Sequence, residues 1–443
     1  MTRRRVIALC VAGVLAAVAL VLFLPSSEKP YHDYVAERRA AGLPTTFAEL
    51  AGPEPPGAAA AAAALGVAWQ ELVANEGPTS DWRGSGFDGQ SVTLDDEPFP
   101  ALSKADLAAL TETAVRLRPY LDPLVRAADA PRLWFPPVIG PDGWRSDADV
   151  KLLQNAQRAL LIAATGDPDP ARRLAACRAS LTLAGSADPS DWLRTMVAIA
   201  GRTSGISAVR YGVETGALDP AAARAALDPL LAVSPEAEYR RALRGETVGL
   251  IELYGALISG RAQSRVPRGT IGQQIARVLE RAASRMKGRT AFDEWEPGLA
   301  RELVAVCRAI DAAAAVPELS TLLTAEDVAA TDPTGTARLL GATMMMTITA
   351  DRVIRIPAAA SLARVGLAVA ERRAKTGAFP ASLDELKDAF DGGVPLDPYT
   401  RAPFRYETTA DGVRIASAEP VLGDPAIAER ELRMRGLVWE LKR

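Results

Sequence analysis

A mainly α-helical fold is predicted for this chain, on three observations. Apolar residues are 49% of the 443, yet aromatic ones are only 5%, so Ala, Leu, Val and Ile must fill the core. These residues recur at three- and four-residue spacing over long stretches, the period of a helix with one buried face. Between the stretches stand Asp-Pro, Ser-Pro and Thr-Gly pairs, which punctuate helix ends. The architecture expected is an N-terminal transmembrane helix, then an antiparallel array of helical hairpins with a repeat-like joint. A small C-terminal α+β module with an antiparallel hairpin follows. The boundaries are 1–24 for a cytoplasmic tip and anchor, 25–57 for a tether with short helices, 58–356 for the array and 357–443 for the module.

The anchor is read from Arg3, Arg4 and Arg5, which precede an uncharged run at residues 6–24. As a helix that run is about 28 Å long, close to the hydrocarbon thickness of a bilayer. Arginines on the short leading side keep that end in the cytoplasm. The expected location is therefore the bacterial inner membrane, single-pass, with the bulk of the chain periplasmic. A cleaved signal peptide is the rival reading. The run is longer than an ordinary signal-peptide core and closes on Leu22-Phe23-Leu24-Pro25 instead of a small-residue site, which favours an uncleaved anchor. Export would place Cys177 and Cys307 where disulfides form. Each also lies on an apolar helical face, as a buried thiol would. Whether they pair is open.

The elements follow in order. A charged helix is expected around residues 31–41. Thr46-Phe47-Ala48-Glu49 has capping-box spacing. The seven alanines of residues 58–64 open a helix, since Ala has the best helix propensity. Residues 76–100, rich in Gly, Asp, Ser and Pro, read as a loop, and the next helix runs from 103 to about 118. Trp134, Phe135 and Trp144 crowd a loop between Pro131 and Trp144. They are expected to fold back onto the end of the helical core, an exposed partner surface being the other reading. Helices then run at about 146–165, 170–185, 189–215, 220–233 and 235–260. The joint at Thr165-Gly166-Asp167-Pro168-Asp169-Pro170-Ala171 returns fifty residues later as Thr215-Gly216-Ala217-Leu218-Asp219-Pro220-Ala221. In this pattern Gly takes the left-handed position that ends one helix, Asp caps the next and Pro occupies its first turn. Short joints make antiparallel neighbours. Two copies at this offset do not make a tetratricopeptide array. Further helices are expected near 269–287, 296–315, 336–350 and 357–376. Met344-Met345-Met346 reads as core filling.

From Ala358 the chain changes character. A helix ends at Thr376-Gly377, Ser382-Leu383-Asp384-Glu385 has capping-box spacing, and Pro395-Leu396-Asp397-Pro398-Tyr399 is a turn. Residues 404–407 and 413–416 alternate about Ala410-Asp411-Gly412, a hairpin signal, and residues 436–441 could add a strand. Gly377, Phe379, Pro380, Leu383, Leu386, Pro395, Asp397, Pro398, Tyr399, Pro403, Phe404 and Tyr406 carry a resemblance. Over about sixty residues this ending resembles the C-terminal half of type II secretion major pseudopilins. That resemblance implies a long helix followed by a small antiparallel sheet. It also implies a calcium loop near Glu419 and Asp424, the metal-ligand candidates, although the usual Asp-Gly run is missing. The N-terminus lacks the prepilin cleavage site of that family. The whole chain resembles a group of membrane-anchored proteins of planctomycete-type bacteria, which join an anchor and an Ala/Leu/Arg-rich helical region to this same ending. Residues 152–183 and 241–246 carry that likeness, and no activity comes with it.

Composition narrows the chemistry. Lys and Arg total 51 against 54 Asp and Glu, so no basic excess suits nucleic acid. One His (His32) and three Cys leave little for a zinc site or a His-based triad. No cofactor motif is present, and no G-x-S-x-G, P-loop or HExxH. The catalytic candidates are Asp293, Glu294 and Glu296 beside Trp295, where paired carboxylates could cleave a glycan. Carboxylates that precede a helix also complement its dipole. Glu246 and Glu252 lie six apart and share no face cleanly. The function expected is a non-catalytic envelope protein that holds another envelope protein. The alternatives are an envelope-polymer hydrolase and a secretion- or pilus-associated component.

Overall fold

The computed structural model describes residues 29–77, 104–130, 133–135, 148–186, 192–232, 235–258, 342–417 and 437–442, with helical positions at 304, 305, 307, 308, 310–312, 314 and 315. Its helices are α1 (Lys29–Ala40), α2 (Phe47–Ala51), α3 (Ala58–Glu76), α4 (Lys104–Ala128), α5 (Ala148–Gly166) and α6 (Pro170–Ser186). After them come α7 (Trp192–Glu214), α8 (Pro220–Leu231), α9 (Pro235–Ile258) and α10 (Ala342–Thr376). A 3-10 helix (Leu383–Ala389) and strands β1 (Arg405–Thr409), β2 (Gly412–Ala416) and β3 (Val438–Lys442) follow among the described residues. The expected anchor at residues 6–24 lies outside the described residues. Among those described, no helix is long and apolar enough to cross a membrane.

From α3 to α7 successive helices pack as neighbours, and residue pairs give their sense; α8, after the second joint, packs instead on α6 and α10. Gly201 lies against Ala184 and Gly205 against Leu181, so α6 and α7 run antiparallel. Gln157 of α5 and Ser180 of α6, nearly equidistant from the short joint that links the two helices, exchange hydrogen bonds at 2.9 and 2.8 Å, again antiparallel. Arg118, Asp122 and Asp129 of this side pair in order with Asp167, Arg172 and Arg178, so α4 and α6 run the same way with α5 between them. Glycine makes the closest of these approaches possible. A Cβ at Gly201 would come within 2.5 Å of the Gln157 amide nitrogen, and one at Gly205 within 2.8 Å of a Leu181 methyl.

The two repeated joints are not built alike. Gly216 has φ +70, the left-handed turn expected, and Asp219 caps α8 by accepting from Ala222 N at 2.8 Å. Gly166 instead remains the last helical residue of α5. Its missing side chain leaves room for the Leu110 carbonyl of α4, 2.7 Å from where a Cβ would stand. Asp167 is buried and takes two bonds from the Arg118 guanidinium, at 2.7 and 3.2 Å. Its own carbonyl accepts from Arg173. Asp169 receives Ala171 N at 2.9 Å, a turn bond two residues on.

Other boundaries moved for one reason, burial. α4 does not end near Arg118 but runs through Pro119 and Pro123 to Ala128, with Leu117, Leu121, Leu124 and Ala128 buried along it. α10 joins what the sequence suggests as two helices, carrying Pro357 between the buried Ile356 and Ala358. An interior Pro costs about 3 kcal/mol in an isolated helix. An apolar face on both sides of the ring offsets that cost. The capping boxes are also only half as expected. Thr46 accepts from Glu49 N at 3.1 Å, and the Glu49 carboxylate returns chiefly to Thr45 N, at 2.7 Å. Ser382 makes no side-chain cap. Glu385 accepts from Ala381 N instead.

α10 is the centre of the fold. From Ala358 to Ala370 almost every side chain is buried, as expected of a helix surrounded on all sides. It packs on α7, α8 and α9 along one part of its surface and on the sheet and 3-10 helix along another. One continuous core therefore holds Leu65, Leu117, Leu160 and Leu227 together with Leu367, Ile415 and Trp439. The sheet is an antiparallel meander, β1-β2-β3. Its first turn is Ala410-Asp411, with Thr409 opposite Gly412. Ile415 lies opposite Trp439. The Trp439 ring lies against Gly366, where no Cβ could fit.

Candidate functional site

A group of buried polar side chains lies outside the main core, under α1. A small second core there contains Tyr31, Tyr34, Ile251, Val304 and Cys307. Tyr31, Tyr34 and Arg38 recur at three- and four-residue spacing on α1, so they share its inner face. Arg38 is only 2% exposed. Its Nη1 donates to Asp311 Oδ1 and, at 3.3 Å, to the Tyr34 hydroxyl. Its Nε and Nη2 both donate to the Pro44 carbonyl, at 3.2 and 2.9 Å. Tyr34 donates to the other Asp311 oxygen at 2.7 Å, and Thr247 of α9 reaches Oδ1 at 3.4 Å. Tyr31 donates to the Ile251 carbonyl at 3.0 Å, close against Gly255. Glu252 accepts from Phe47 N at 2.8 Å, which caps α2 from α9.

The electrostatics of this cluster favour holding over proton transfer. Burial raises the Tyr34 hydroxyl well above its ordinary value, with Cys307 and Asp311 adding to the effect. Burial likewise pushes the Cys307 thiol up to about 12, with Asp311 adding. Burial acts to lower the Arg38 guanidinium, but its bonds to Asp311 and Tyr34 outweigh it and keep Arg38 charged. A charge pair this enclosed is weak as a source of net stability and costly to break from one side.

A second polar cluster joins the C-terminal segment to the helices. Arg364 grips Asp228 of α8 with two bonds, at 2.8 and 3.1 Å. Arg224 of α8 bonds Glu371 of α10 at 2.5 Å and also the Ala389 carbonyl. Both guanidinium groups lie over the Phe390 ring, 5.0 and 5.6 Å from its centre. Beyond it Asp397 is fully buried, accepting from Tyr399 N at 3.0 Å and from the Ser417 hydroxyl at 2.7 Å.

The residues singled out from sequence have different fates. Asp293, Glu294, Glu296, Glu419 and Asp424 lie outside the described residues, as does Trp144. Leu133 is buried, Phe135 packs on the core and Trp134 N donates to the Ala58 carbonyl, so that part of the aromatic loop folds back. Cys177 and Cys307 are both free and buried, and they sit in different cores. His32 is exposed and meets the Tyr31 ring edge-on. Among the described residues no group of His, Cys, Asp or Glu is arranged to hold a metal. The Tyr34–Arg38–Asp311 cluster was not foreseen. The spacing of Tyr31, Tyr34 and Arg38 was its one local signal, and the partner carboxylate stands 273 residues away. Comparison with protein-family models, curated proteins and solved structures finds no match for the chain.

Proposed function

We propose that this is a non-catalytic cell-envelope protein, held in the inner membrane by residues 6–24, whose periplasmic helical body binds another envelope protein. One observation carries the reading. Beside α4 and α6 a row of opposite charges, Arg118–Asp167, Asp122–Arg172 and Asp129–Arg178, joins the two helices; the second and third pairs are half-exposed and form a mixed-charge surface, while Asp167 is buried beneath Arg118. Fixed polar groups on a stiff backbone suit the rim of a protein–protein interface. Capture of the detergent-solubilised protein, followed by mass spectrometry, tests it. One recurrent partner should appear and be lost with Arg172→Glu and Arg178→Glu in a folded protein. Consistent absence of a partner sinks the reading.

A role in a secretion or pilus-like assembly is favoured by one feature, the order of long helix, Pro-Leu-Asp-Pro turn and antiparallel meander. Here that helix is also the middle of the body. Such a module would therefore act as part of the body and not as a detachable subunit.

A further inference from the structure

We propose that α1 is a clip that fixes the height and orientation of the body over the bilayer, with α9 and the helical positions 304–315 on the membrane-facing side. This rests on the anchor reading of residues 6–24. Leu24 and Lys29 are five residues apart, so fully extended chain places the start of α1 at most roughly 18 Å from the end of the anchor. A folded chain of this length has a radius of gyration of roughly 22 Å. The tether is thus shorter than the body is wide, and whatever α1 is fastened to must lie near the lipid headgroups.

α1 is fastened. Arg38 and Tyr34 hold Asp311, Tyr31 holds the Ile251 carbonyl, and Glu37 pairs with Arg308 at 2.8 Å. Two glycines of α9 receive rings from the N-terminal segment, Gly255 that of Tyr31 and Gly249 that of Phe47. α9 in turn packs on α7 and α10, so the clip reaches the central core. Opening it would lengthen the tether to the start of α2, twenty-three residues from Leu24, and a flexible tether of that length spans on average roughly 26 Å, with far greater maximum reach. The closed clip therefore restrains the body in a way the anchor alone would not.

Energy transfer from a dye on the protein to acceptor lipids in the headgroup layer tests this. The full-length protein in liposomes would carry Cys10→Ser, Cys307→Ala and one exposed labelling site, either Ala36→Cys on α1 or Arg244→Cys on α9. Cys177 is buried in the main core and stays unlabelled in the folded chain. Strong transfer is expected from both sites. Asp311→Ala should lower transfer from the α9 site roughly twofold or more while the α1 site keeps most of its own, because only the body is released. If that variant fails to fold, a twenty-residue Gly/Ser insertion after Ser27 leaves the cluster untouched and should lower transfer from both sites. Weak transfer from the α9 site in the membrane-bound parent, or no response to either change, overturns the clip alone. Recovery of the parent in the soluble fraction overturns the anchor reading and the clip with it.

Discussion

Two glycines at matching places in a repeated motif do different physical work, and substitution separates them. Gly216 is needed for its backbone angle, with open space around it. Gly166 is needed because the Leu110 carbonyl occupies the place of its side chain. Gly216→Ala should cost about 1 kcal/mol, and Asn, which tolerates the left-handed region, should recover part of that. Gly166→Ala should cost about 1–3 kcal/mol, and Asn should be worse than Ala because it adds bulk against backbone. Urea unfolding of the four variants measures both. Equal rescue by Asn at the two sites would refute the distinction. Gly366 belongs to the second kind. Gly366→Ala should displace the Trp439 ring, costing about 1–3 kcal/mol and shifting tryptophan fluorescence.

Helix ends depend on local bonds that a single change can remove. Asp219→Ala takes away the one side-chain cap of α8 and should lower stability by about 0.5–2 kcal/mol. Asp219→Asn should retain most of it. Circular dichroism under thermal unfolding would show the order wild type, Asn, Ala. The α10 helix makes the opposite point. Local preference argues for a break at Pro357, yet the helix continues because its flanking residues are buried. α1 is also decided beyond its own sequence. Read alone it is a charged surface helix, but three of its side chains are enclosed by residues more than two hundred positions away.

At the scale of the whole molecule, burial of acidic protons sets the alkaline limit. Burial pushes Cys177 and Cys307 to about 12, and Tyr406 rises to about 12 through burial with Glu385 adding. In the unfolded chain these thiols ionise near 9.0. Between those values the unfolded state holds fewer protons than the folded one, so stability must fall as pH rises from about 9 toward 12. Below that window these groups have no effect. A denaturation midpoint that stays level from pH 8 to 11 would contradict the burial. The same burial predicts that neither thiol reacts with an aromatic disulfide reagent at pH 8 until the protein unfolds. Fast reaction of a folded Cys10→Ser protein would show that one of them is accessible.

The helical class, most helix starts, the 410–411 hairpin turn and the last strand were readable because each rests on neighbours in the chain: an apolar period, a cap, a proline, a pair of turn residues. What no local pattern contains is which distant surface meets which. The role of Gly166, the passage of α4 and α10 through proline, the Arg38–Asp311 bond and the place of α10 at the centre of one core all depend on side chains brought together from far apart. Their energies belong to contacts between helices, and only the packed chain has those contacts.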